Sequence, residues 1–124
     1  MNHAPSGLPL MRHAGVLLVA ACIAVAAQAP ILSSQPRGAV NDFASVLSIR
    51  ARASLERFCT ALNEKTGVAV VLATTQNLGG DDIDDVTNRL YERWGIGSSD
   101  TDEGVLVLVA IDERRIRIEP GYGS

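Results

Sequence analysis

Two unbroken apolar stretches, residues 68–74 (Val-Ala-Val-Val-Leu-Ala-Thr) and 104–111 (Gly-Val-Leu-Val-Leu-Val-Ala-Ile), restrict this chain to a layered α/β architecture. Runs without polar alternation are what a strand covered on both faces requires. Between them Ile83, Val86, Leu90, Tyr91 and Trp94 recur at helical intervals. Strand, helix and strand in this order predict a parallel, right-handed unit. Beyond residue 111 a turn at Asp112, Glu113 and Arg114 sends the chain back. The returning strand puts Ile116 and Ile118 on one face and Arg115, Arg117 and Glu119 on the other, an antiparallel hairpin partner.

Upstream, Ser48 is a good N-cap for a helix whose Ala51, Leu55, Phe58, Cys59 and Leu62 share one face. Gly67 is the expected stop. Gly79 and Gly80 make a turn, Asp81 or Asp82 caps the second helix, and Gly95 ends it. The predicted order is helix, strand, helix, strand, strand. The fold class is α/β: a small mixed β-sheet flanked by helices, an α/β sandwich.

Ahead of these elements, Met11-Arg12-His13 forms a short basic start to an apolar run over residues 14–27. A transmembrane helix needs about 20 apolar residues, so this run reads as a hydrophobic signal helix. Residues 1–29 are expected to be a signal peptide or, if retained, a signal anchor. Small residues permit cleavage after Ala26, Ala27 or Ala29, with Pro30 a poor residue to follow a cut. Val19-Ala20-Ala21-Cys22 matches a lipoprotein processing box, but apolar residues continue after Cys22. Residues 30–39, rich in Ser, Pro and Gln, read as a flexible linker, and residues 40–124 as the domain. Each processing route puts the domain outside the cytoplasm, in a periplasm or secreted, with the membrane reached only through an uncleaved N-terminal segment.

Loss of the signal removes His3, His13 and Cys22. Without an imidazole there is no Ser-His-Asp triad, phosphohistidine or histidine-based zinc site. Cys59 alone remains, so no intramolecular disulfide forms. The 11 Lys and Arg against 14 Asp and Glu give a formal net charge of −3. No basic stripe is available to neutralise phosphates, which argues against nucleic acid as a partner.

Two acidic clusters stand out. Asp81, Asp82, Asp84 and Asp85 sit at a helix start, where carboxylates cap free N–H groups and complement the dipole, and Asp85 can pair with Arg89. Asp100, Asp102 and Glu103 fall within a loop ahead of an apolar strand, where three carboxylates repel one another without a cation. The loop is no EF-hand, because its glycine is one place early and Ile111 stands where the bidentate Glu belongs. Asn41 and Asp42 would add oxygens if the fold brings them near. Such a set (Asp42, Asp102, Asn41, Asp100 and Glu103) would favour Ca2+ or Mg2+ over zinc. No organic cofactor is expected: Trp94-Gly95-Ile96-Gly97 lacks the third glycine of a dinucleotide loop and follows a helix. Cys59 and Lys65 lack the arginine of a cysteine-phosphatase loop.

Val40-Asn41-Asp42-Phe43, the helix start at Leu47-Ser48, Thr66-Gly67, Trp94-Gly95-Ile96-Gly97, Gly104-Val105-Leu106 and Gly121-Tyr122-Gly123 together resemble the TPM-domain family. That family includes a plant thylakoid-lumen acid phosphatase, a photosystem II repair factor and bacterial envelope proteins of unassigned role. The resemblance implies a compact α/β sandwich, commonly facing an extracytoplasmic space. It also implies a divalent cation in an acidic cleft in the phosphatase-active members, with Asp42 and Asp102 at the matching positions and Asn41 beside them. The chain departs from the pattern at Glu103, where Asn or Asp is more usual. It also lacks the helices expected after Gly-Tyr-Gly and the membrane span with a glycine-rich tail. The domain is therefore expected to be incomplete at its C-terminus.

Two functions follow. In the first, the domain is a binding or accessory module for a membrane protein complex or another envelope partner, without turnover. In the second, it is a phosphomonoesterase in which a cation activates water and Arg115 or Arg117 steadies phosphoryl oxygens. No nucleophile–base pair is complete, so no catalytic residue is named and the first reading is preferred.

Overall fold

The computed structural model describes residues 28–96 and 103–121. Of the proposed signal segment, residues 1–27 lie outside them, and Gln28 and Ala29 within. The fold is α/β, a four-stranded mixed sheet in the order β1-β2-β3-β4 with two helices. The strands are β1 (Val40–Asp42), β2 (Ala69–Thr75), β3 (Gly104–Ala110) and β4 (Arg115–Pro120). The helices are α1 (Ile49–Thr66) and α2 (Ile83–Arg93). β1, β2 and β3 run parallel, and β4 returns antiparallel to β3. Among the described residues no helix is long and apolar enough to cross a membrane.

The punctuation residues act as expected. Ser48 Oγ accepts the Ala51 N–H at 3.0 Å, and Gly67 ends α1 at φ 79°. Asp82 caps α2 through the Asp84 and Asp85 amides, Asp85 pairs with Arg89 at 3.3 Å, and Gly95 follows the helix at φ 65°.

Three features stand out, the first two of them unexpected. A three-residue strand, β1, pairs in parallel with Leu72, Ala73 and Thr74. It is too short to show an alternation in the sequence. The segment read as a flexible linker is also part of the packing. Pro30–Ser33 is a 3-10 turn with Ile31 and Leu32 each only 2% exposed. Arg93 donates to the Leu32 carbonyl, and the Trp94 indole donates to the Ser34 carbonyl at 3.0 Å. Two apolar side chains in a polar stretch gave no period to read, yet the core has a place for both.

The third concerns the two faces of the sheet. One buries Ala73, Leu106, Leu108 and Ala110 beneath Val86 and Leu90 of α2 and beneath the 3-10 turn. Arg117 and Glu119 lie on this covered face. The opposite face carries Val107 and Val109, paired with Ile118 and Ile116, and those isoleucines are 55% and 66% exposed. α1 packs on β1 and β2 at this face. Its Glu56 carboxylate accepts the Ala39 and Val40 amides of the β1 edge. Phe58, two residues on and therefore about 200° round the helix, lies on the other flank and is 62% exposed. The predicted stripe is thus buried at Cys59 but open at Phe58.

Leu32→Ala is expected to lower unfolding stability by about 2–4 kcal/mol, the usual cost of emptying a packed site, measured by urea denaturation. A change within about 0.5 kcal/mol, as for an exposed residue, would contradict this packing.

Candidate functional site

Asp42 ends β1 at the edge of the sheet where β2 and β3 also end. Its carboxylate accepts the Val46 amide at 3.1 Å, the Leu47 amide at 2.8 Å and the Thr74 hydroxyl at 2.7 Å. Thr74 Oγ1 in turn accepts the Ala44 amide at 3.0 Å, and the Asp42 carbonyl accepts the Ser45 amide. Ser45 adopts φ 55°, the left-handed conformation this tight turn demands. Asp42 therefore folds the turn that leads from β1 to α1. Partial burial pushes its carboxyl up, but the Leu47 amide, the Thr74 hydroxyl, the Val46 amide and the Arg52 charge outweigh that. The net result is a value below the ordinary 3.8.

Asn41, 2% exposed, is similarly committed. Its Oδ1 accepts the Arg37 amide at 2.7 Å, and its Nδ2 donates to the Gly38 and Leu72 carbonyls. Glu103 immediately precedes β3, and its carbonyl accepts the Ala69 amide at 3.0 Å. Asp100 and Asp102 lie outside the described residues.

The register decides what these groups can share. Asp42 pairs with Thr74, and Thr74 with Val109. Glu103 lies six residues before that level, roughly 20 Å along the strand. Oxygens around one calcium ion sit at about 2.3–2.6 Å from it. Asp42 and Glu103 thus occupy opposite rims of the sheet and do not ligate a common ion. Among the described residues no three Asp, Glu or Cys side chains gather as a metal site. Of the proposed cation set, Asn41, Asp42 and Glu103 belong to the described residues, and of these Asp42 and Glu103 stand apart.

The two arginines are also apart in role. Arg115, exposed, opens β4 opposite Ala110. Arg117 lies between Asp84, 3.4 Å from Nε, and Glu119, 3.3 Å from Nη2. Its Nε is buried without a well-angled hydrogen bond, so the contact with Asp84 is one of charge alone. The Asp81 to Asp85 cluster is structural throughout: besides the cap and the two ion pairs, Asp81 Oδ2 accepts the Ala29 amide at 3.1 Å.

A groove of about 320 Å³ runs between α1 and the start of β2. Cys59, Thr60, Asn63 and Ala69 line it, with no charged residue among the described lining. Burial, and then the charge of Glu56, push the Cys59 thiol up, which keeps it protonated at neutral pH. Sequence reasoning missed Thr74 and Glu56, which hold the two ends of β1. Neither has a local signal, since each acts on a strand far from it in the chain.

Asp42→Asn is expected to cost about 1–2 kcal/mol at pH 7, through weaker bonds to the two amides and the hydroxyl. A carboxyl lowered by folding stabilises above its unfolded value and loses that contribution as pH falls through the folded one. The gap between wild type and variant should therefore narrow below a pH of about 4. Equal gaps at pH 7 and pH 3 in chemical denaturation would refute this role.

The sequence profile of the TPM domain matches residues 40–124. No curated protein matches. The N-terminal domain of a protein from P. gingivalis, solved by solution NMR, is similar at 27% identity with a TM-score of 0.65. The likeness covers 77% of this chain and 61% of that one, so the chain spans less than two thirds of that relative. The profile covers most of the chain and the fold is shared with that domain, and this chain belongs to the TPM-domain family.

Proposed function

We propose that this TPM domain works outside the cytoplasm as a binding or accessory module for a membrane protein complex, without catalytic turnover. The observation that carries this reading is the separation of Asp42 and Glu103 on opposite rims of the sheet. Phosphoryl transfer assisted by a cation requires ligands that converge, with the metal polarising phosphoryl oxygens and activating a water. Here the Asn41 and Asp42 side chains already serve the backbone. Arg117 is neutralised by two acids. The surface that lacks a job inside the domain is apolar: Ile116 and Ile118 beside Val107 and Val109, with Phe58 on the adjoining flank of α1. Exposed apolar area of this kind is what an interaction surface offers. An extracytoplasmic setting agrees with the family and with the basic, then apolar, start of the chain.

Hydrolysis of a phosphomonoester by the purified protein should stay at the buffer background with calcium, magnesium or chelator, and Asp102→Asn should change nothing. Cation-dependent turnover abolished by that substitution would establish the phosphatase and reject the module. Separately, a photo-crosslinking residue at position 118 should capture a membrane protein in intact cells. The same residue at the exposed Asn88 on α2 should not. Equal capture at both positions, or none at either, would reject the apolar face as the binding surface.

A further inference from the structure

The sequence leaves three bonds open to a signal peptidase: those after Ala26, Ala27 and Ala29. The folded domain distinguishes them. Ala29 is 1% exposed and belongs to the core cluster with Leu78 and Ile83. Both its backbone groups are engaged. The N–H donates to Asp81 Oδ2 at 3.1 Å, and the carbonyl accepts the Leu32 amide at 3.1 Å to open the 3-10 turn. Gln28 is exposed, but its carbonyl lies against the Gly79 backbone. A Cβ on Gly79 would come within 2.9 Å of the Gln28 carbonyl oxygen, and Gly79 holds φ 62°, a conformation glycine adopts freely. The Gly79-Gly80 turn is thus shaped around two residues that a cut after Ala29 would discard. That cut would also leave the Asp81 carboxylate without its amide and would place proline directly after the scissile bond.

We propose that the leader is removed on the N-terminal side of Gln28, by hydrolysis of the Ala26–Ala27 or Ala27–Gln28 bond, and that Ala29 is the first buried residue of the mature domain. Both bonds follow a small residue, Ala26 or Ala27, and the first also has Ala24 two places earlier. Water adds across the amide, leaving a carboxylate on the leader and an α-ammonium on the mature chain. This inference rests on the extracytoplasmic reading of the domain.

The test is to express the full chain in a bacterium, recover the exported protein and identify its first residue by mass spectrometry. Ala27 or Gln28, the latter free or cyclised, is the expected start. A start at Pro30 would overturn the proposal while leaving the location intact. So would an exported chain that keeps its apolar run. A chain that stays in the cytoplasm would overturn both. A second measurement reads the packing directly: Asp81→Ala in the exported protein should lower the midpoint of thermal unfolding by roughly 4–8 °C, about what loss of one buried-side hydrogen bond does in a domain of this size. An unchanged midpoint would show that Ala29 contributes nothing and would sink the proposal.

Discussion

The whole fold depends on one apolar layer. Leu106, Leu108 and Ala110 of β3, together with Ala73 of β2, have no measurable exposure and press against Val86 and Leu90 of α2. Each fully buried leucine is worth about 1.5–3 kcal/mol relative to exposure, more than any ion pair on this surface. The layer fixes α2 on one face, and α2 fixes the 3-10 turn through Arg93 and Trp94. It also decides the fate of β4. With α2 on that side, Arg117 and Glu119 must find partners under the helix, and the isoleucines of the same strand are left outside.

Much of this was legible in the chain because it is local. Ser48, Gly67, Asp82 and Gly95 act within one turn of themselves, and their chemistry is the same in any fold. The apolar runs of β2 and β3 were readable for the same reason. What escaped depends on partners distant in sequence. β1 exists because the Leu72 amide finds the Ala39 carbonyl and because Glu56 claims the outer amides. Ile31 and Leu32 are core because α2 leaves a space for them, and nothing in their neighbours announces it. Phe58 had the right spacing to be buried, but α1 rests on only the β1 and β2 side of its face.

The candidate site follows the same division. The acids were identifiable as residue types, and the capping role of the Asp81 to Asp85 cluster followed from its position at a helix start. Whether Asp42 meets Glu103 was not legible, since spacing along a chain does not say which rim of a sheet a residue reaches. Parallel pairing answers it. Strands that run together end together, so Asp42 shares a rim with Thr75 and Ala110, and Glu103 shares the other with Ala69.

The bidentate grip of Glu56 on the Ala39 and Val40 amides has an outcome for how this protein meets others. A sheet margin with vacant donors invites a foreign strand to add itself and extend the ladder. At the start of β1 two of those donors are taken. Along β4, Pro120 offers none, Arg115 exposes its charge, and Arg117 and Glu119 point inward beneath α2. Neither border favours templated fibre growth, so recognition is steered toward the flat of the sheet and away from its hem.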